Sequence, residues 1–219
     1  MSISAIITAA GKNSRMRKDQ LIEGVPLQNK LTLPFNDSTV IQTTIDNVMS
    51  CNISECIVVV GHYSGEVKKA ISNDYHGKVK FVNNDPIEVG LSTSLLHGLK
   101  NISTDLALCV SADQPTISSE TYNKLIKNSL QSDNPLKTIS VLRRRKIGLL
   151  NSAEGLGMPF VASREYLIKY LKKENENLNP VLRKMFKDGF KFYGIREKNQ
   201  LELVNINHYD DYKSLLDDF

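Results

Sequence analysis

The chain has 219 residues, 41% hydrophobic and 24% charged, with a net charge of +4. That size and apolar content suit one globular core. The weak positive balance suits anionic substrates but does not by itself point to nucleic acid, and no apolar run approaches the roughly 20 residues that span a bilayer. The N-terminal apolar stretch has no basic leader region and ends in Gly-Lys, so it does not read as a signal peptide. Three cysteines with no Cys-x-x-Cys pair, among four scattered histidines, read as reduced cytoplasmic thiols rather than a disulfide frame or a zinc site.

In chain order, residues 3–10 form an apolar run of strand length that breaks at Gly11. Residues 38–49 place Val40, Ile41, Thr44, Ile45 and Val48 on one helical face, with Asp37 or Ser38 as the cap. Residues 55–61 are a continuous β-branched run, the mark of a parallel strand covered on both faces. A short helix at 66–71, an alternating strand at 78–84 and a helix at 91–100 follow. Then come a second buried strand at 105–113, a helix at 118–130 opened by Ser118, and a strand at 137–145. This β-α-β repetition predicts an α/β, Rossmann-like, open and mostly parallel sheet with helices on both faces. Beyond residue 145 the pattern loosens. Residues 147–160 are Gly-rich and loop-like, and helices are expected near 164–173 and 180–187, either side of the polar loop KKENENLN. Short strands are expected at 190–195 and 201–204, and a last helix from about His208. No internal repeat or long linker divides the chain, which predicts one domain over 1–219.

Ligands of open α/β sheets bind outside the carboxyl ends of the strands. The loop after the first strand carries Gly11, Lys12, Ser14 and Arg15, which can offer backbone N–H groups and cations to phosphate. It is not a dinucleotide fingerprint, because only one of three glycines is present. Nor is it a P-loop, because Ile6 stands where the first glycine belongs and Asn13 where a hydroxyl residue must follow the lysine. An ordinary strand-to-loop turn is the plainer alternative. In SADQP, residues 111–115, Asp113 ends a buried strand where a carboxylate can hold Mg²⁺ against phosphates, or can simply turn the chain. Together the two loops give the minimum for metal-assisted chemistry on a nucleoside triphosphate.

The motifs TAAGKNSRM, NKLTLPF, GLSTSLLHGL, SADQP and NINHYDDY, in that order over nearly the whole chain, resemble the MobA-like NTP transferase superfamily. Within it the resemblance is nearest to molybdenum cofactor cytidylyltransferases and their guanylyltransferase relatives. It implies the nucleotide-diphospho-sugar transferase type of fold, with a nucleotide-binding half at 1–116 and an acceptor-binding half at 117–219. It implies that Ala9, Ala10, Gly11, Ser14 and Arg15 wrap the triphosphate and face the base, and that Lys30 neutralises phosphate charge. Asn83, Gly90 and Ser94 would contact the nucleoside, Asp113 would bind metal, and Asn205 and Asn207 would complete the metal or acceptor site. The segment GLGMPFV at 155–161 would face the acceptor.

The reaction implied is Mg²⁺-dependent transfer of a nucleotidyl group, with CTP favoured by Ala10 where guanylyl-transferring relatives carry glycine. The acceptor implied is a phosphorylated small molecule, molybdopterin above all, with a molybdoenzyme as possible partner and no role for nucleic acid or membrane. Arg15, Lys30 and Asp113 would carry the chemistry, and no general base is required because an ionised phosphate is already nucleophilic. Other readings stay open. They are a sugar-phosphate or other small-phosphate nucleotidyltransferase, a non-catalytic nucleotide-binding maturation factor and, more distantly, a nucleic-acid binder.

The chain departs from the family pattern at Arg17, usually glycine, at Ala112, at His208-Tyr209, and in the long excursion at 17–29, which reads as a lid. Several residues have plainer readings. Arg143, Arg144 and Arg145 suit a solvated strand edge as well as an anionic acceptor. Asn207 suits a helix cap with Asp210 as its partner. Ser92, Thr93 and Ser94 suit the opening of a helix. Tyr209 and Tyr212 suit packing, and His62, His76 and His97 carry no ligand pattern.

Overall fold

The computed structural model describes residues 1–72, 75, 77–142, 146–171 and 177–217. The arginines at 143–145, His76 and most of the KKENENLN loop lie outside the described residues. An eight-stranded sheet forms from β1 (Ile3–Ala9), β4 (Cys56–Val60), β5 (Val79–Asn83), β6 (Leu106–Ser111), β7 (Thr138–Leu142), β8 (Gly148–Leu149), β9 (Phe160–Ser163) and β10 (Lys191–Ile195), in the order β5-β4-β1-β6-β9-β7-β10-β8. β9 and β8 run antiparallel to their neighbours, and the other pairings are parallel.

Alternation along the strands feeds two cores. Ile3, Ala5, Ile7 and Ala9 of β1 point to one face, where α2 (Val40–Met49), α3 (Ser64–Lys69), α5 (Ser119–Leu130) and α8 (Tyr209–Asp217) pack. Ile6 points to the other, covered by α4 (Leu91–Lys100), α6 (Arg164–Leu171) and α7 (Leu178–Lys187). Cys56, Val58 and Val60 of β4 follow the first face, and Ile57 and Val59 the second. A strand apolar at every position is thus the strand of a sheet covered on both sides.

The departures from expectation have local causes. α2 starts at Val40, capped by Thr39 rather than Asp37 or Ser38, because Ser38–Thr39 (β3) pairs with Pro34–Phe35 (β2) in a short hairpin. β9 starts at Phe160, where the segment expected to be a loop ends, and no strand was expected there. Its four residues are too few to show a period, yet all are buried, and it slots between β6 and β7. Residues 201–204 were expected as a strand, but Gln200–Leu203 is a 3₁₀ turn, because Glu202 turns inward to α5.

The excursion at 17–29 is largely helix. α1 (Ser14–Glu23) buries only Met16 and Gln20, so it lacks the apolar stripe that would announce it. Gly24, at φ 68°, ends it in the left-handed conformation that glycine adopts without strain. Asp19 and Glu23 then tie α1 to α8, through His208 and Lys213. The segment therefore packs as part of the α-helical layer rather than standing as a free lid.

The three cysteines are free and buried. Burial pushes the thiol pKa of Cys51 up to about 11 and that of Cys56 up to about 12, so both stay protonated and unreactive near neutrality. Among the described residues no helix is long and apolar enough to cross a membrane.

Candidate active site

The chain runs outward from β1 to β4 and β5, then returns to β6 on the other flank of β1. Thr8 pairs with Ser111 across that switch, so the loops leaving β1 and β6 emerge side by side. Between them lies a cavity of about 250 Å³ lined by Ala9, Ala10, Gly11, Asn13, Arg15, Lys30, Ser94, Asp113 and Asn207, among others.

Its floor is an ion pair. Lys30 Nζ lies 2.6 Å from Asp113 Oδ2 and donates to the carbonyl of Ile206 at 2.7 Å. Asp113 also accepts from the Ser111 hydroxyl, and its own carbonyl accepts from Ile206 N–H at 2.9 Å. Lys30 is positioned from the β1 loop: Asn13 Oδ1 accepts from the Lys30 backbone N–H at 3.2 Å, and Asn13 Nδ2 donates to Gln28 O at 3.1 Å. Asn13 takes a left-handed conformation at φ 56°, which asparagine tolerates better than most residues. With its side chain engaged there, it does not cap α1, and the first N–H groups of that helix are left facing the loop.

Gly11 leaves the cavity open. A Cβ built there meets nothing within 4 Å. Ala10 is backed by Gly61 at the end of β4, where an added Cβ would stand 3.0 Å from Ala10 O. At the rim Lys12 lies 3.4 Å from Glu88, and Arg15 makes no ion pair among the described residues. On the α4 side, Ser94 accepts from Asn84 Nδ2 at 2.9 Å, and Asn84 Oδ1 lies 3.0 Å from His97 Nδ1.

Residues 5–188 match the profile of the MobA-like NTP transferase domain. The chain belongs to that family. As a MobA-like NTP transferase it is a nucleotidyltransferase. It is 41% identical to a Methanothermobacter nucleotidyl transferase whose structure superposes with a TM-score of 0.90, over 99% of this chain and 97% of that one. It is 24% identical to the molybdenum cofactor cytidylyltransferase of Escherichia coli over 96% of this chain and 94% of the relative. A Mycobacterium tuberculosis protein crystallised with manganese shares the fold at 20% identity, with a TM-score of 0.68 over the full length of both chains.

In this MobA-like chain the cavity gathers Ala9, Ala10, Gly11, Arg15, Lys30, Ser94, Asp113 and Asn207. Four expected residues stand outside its lining. Ser14 opens α1, and Asn205 precedes the buried Ile206. Gly90 caps α4 between Val89 and Leu91, which do line the cavity. Asn83 ends β5 with its side-chain oxygen accepting from Ser64 and Lys68, while the next residue, Asn84, is the one that reaches Ser94. Asn207 does not act as the partner of Asp210 in a cap. Asp211 accepts from the backbone N–H groups of Asn207 and His208, which leaves the Asn207 side chain to the cavity. Sequence reasoning passed over Asn13, Asn84 and Ser111. The one available signal was an asparagine in a tight strand-to-helix turn, where a left-handed residue is needed.

Proposed function

We propose that this nucleotidyltransferase moves CMP from CTP to a phosphorylated acceptor, with molybdopterin as the acceptor, and releases pyrophosphate. The observation that carries the reading is the Lys30–Asp113 pair, at the floor of a cavity that Gly11 leaves open. An ammonium has three donors. Asp113 and Ile206 O take two, which leaves one for a phosphate oxygen. Arg15 at the rim adds a guanidinium suited to bidentate phosphate contact, and the uncapped start of α1 adds N–H groups.

The donor set fits magnesium carried in by the triphosphate. One carboxylate, Asp113, lines the cavity, together with the amide of Asn207 and those of Asn13 and Asn29, and no cluster of three or more acidic, His or Cys side chains occurs among the described residues. A hard cation that keeps its waters and phosphate oxygens needs no more from the protein. Bound there, it would draw negative charge off the phosphate oxygens. An oxygen of the acceptor phosphate forms the new bond to the α-phosphorus as the α–β bridge breaks to pyrophosphate. The side chains hold reactants in line and stabilise charge, and no proton transfer is needed.

In this reading residues 1–116 hold the nucleotide and 117–219 the acceptor, with Asn205 and Ser14 in supporting positions. The product passes to a molybdoenzyme in the cytoplasm, a compartment in keeping with free, buried cysteines. Thermal unfolding with CTP, GTP, ATP and UTP plus Mg²⁺ should show the largest midpoint rise with CTP, and pyrophosphate release should require molybdopterin. Release only with a sugar phosphate would move the acceptor to that class. Binding without turnover would make the chain a binding factor, and no shift with any triphosphate would sink the reading.

A further inference from the structure

The triphosphate cavity is the first of three that adjoin. Leu91 lines both it and a second cavity of about 400 Å³, whose walls include Leu156, Met158 and Leu178 beside Asn177 and Asn179. Met158 Sδ lies 4.0 Å from Thr8 Oγ1 of the first cavity, so it stands at the junction. Asn179 Nδ2 donates to Leu156 O at 2.9 Å and pins the 155–158 loop to the start of α7. Pro180 and Arg183 of α7 are shared between the second cavity and a third of about 690 Å³. The trench therefore runs from the phosphate end, through the second cavity, to α7.

The far end is cationic. Arg183, Lys184 and Lys187 line it against one carboxylate, Glu154. Arg183 Nη1 lies 3.3 Å from Glu154 Oε1, and both side chains are about half exposed or more. A solvated pair of this kind exchanges readily for another anion. Among the described residues Lys184 and Lys187 make no ion pair, so the end of the trench carries uncompensated positive charge.

We infer that the acceptor bears a second anionic group at a distance from its reacting phosphate, and that Arg183 with Lys184 and Lys187 reads it. The inference rests on the reading of the first cavity as the triphosphate site. The middle of the trench takes the acceptor's body and the cations fix its far end. Acceptors with one charge then bind in many registers, and acceptors with two bind in one. Displacing Glu154 from Arg183 is the cost of entry.

Three probes of equal chain length test this by calorimetry on the protein loaded with CTP and Mg²⁺ in the cold: hexyl phosphate, hexanediol bisphosphate and phosphorylated hydroxyhexanoate. The doubly anionic probes should bind at least about tenfold tighter than hexyl phosphate, a ratio expected for one charge-assisted contact. The better of the two tells a distal phosphate from a distal carboxylate. In Arg183→Ala/Lys184→Ala/Lys187→Ala the ratio should fall towards one, with the ligand-free unfolding midpoint and the CTP-induced shift unchanged. In Glu154→Gln the ratio should rise, a gain that damage to the fold does not produce. Equal binding of all three probes to the wild type, a ratio that survives in the triple variant, or no binding of any probe overturns the inference. If the CTP shift persists in those cases, the nucleotide reading stands. If CTP itself fails to bind, that reading falls first.

Discussion

Lys30 and Asp113 are 83 positions apart, yet the ammonium of one lies 2.6 Å from the carboxylate of the other, and Ile206 O completes the contact. Three distant segments meet at one nitrogen, with both side chains only 14% exposed. Removing one partner leaves the other charge poorly solvated. Lys30→Met or Asp113→Asn alone should cost about 2–4 kcal/mol in urea unfolding, somewhat below the range for a fully buried pair. The double variant should cost less than the sum, because no orphan charge remains. Asp113→Asn should also lower turnover by about 100-fold or more. Full activity in that variant would remove Asp113 from the chemistry.

Gly11 separates function from folding. Its Cβ position is open space and its backbone is not left-handed, so Gly11→Ala should leave the unfolding midpoint within about a degree of the parent. Gly11 lines the cavity proposed to hold the triphosphate, so an added methyl should crowd it. The CTP-induced thermal shift should shrink, by the equivalent of about tenfold or more in affinity. An undiminished shift would place the triphosphate elsewhere.

Gly98 makes the opposite case. A Cβ there would stand 2.5 Å from Ile6 Cγ2 and 2.9 Å from Val59 Cγ2, so α4 rests directly on the sheet. Gly98→Ala should destabilise by about 1–3 kcal/mol through overpacking. Because α4 carries Leu91 and Ser94 into the cavity, nucleotide affinity should fall with it. A stabilised variant would show that the helix has room to lift.

Glu202 shows what periodicity hides. Its fully buried carboxylate accepts from Ser118 N and Oγ at 3.0 and 2.6 Å, from Thr121 Oγ1 at 2.7 Å and from Lys198 N at 2.7 Å. Leu201 and Leu203 read as strand, but this set of donors winds the segment into a turn. Glu202→Ala strands those donors and should cost about 3–5 kcal/mol. Glu202→Gln, which keeps one acceptor oxygen, should cost less. Equal unfolding midpoints for Glu202→Ala and the parent would show that water replaces the carboxylate.

The parallel sheet was legible because strands buried on both faces are apolar at every position. The ends of β1 and β6 were legible because a glycine loop and an aspartate interrupt those runs. What escaped was decided by contacts between distant segments. α1 buries two residues and depends on α8 through Asp19 and Glu23. β9 is four residues long and exists because β6 and β7 leave a gap for it. Asn84 rather than Asn83 serves the cavity, because only the residue beyond the strand end turns towards α4.

His97 gives the site a dependence on pH. Burial holds its pKa below the usual histidine range, the Lys100 cation adds to that, and Asp85 opposes it. The unfolded chain, in which His97 titrates near about 6.5, takes up the proton more readily than the folded one. The contribution of His97 is therefore fully present above that pH and is lost as pH falls through the lower, folded value. The ring contacts Asn84, which in turn holds Ser94 at the cavity wall, so the loss is felt where the nucleotide is proposed to sit. Between about pH 7.5 and 5.5 the unfolding midpoint should fall more steeply for the wild type than for His97→Gln, which keeps a neutral polar group there. Parallel curves for the two proteins would show that His97 is protonated as easily in the fold as out of it.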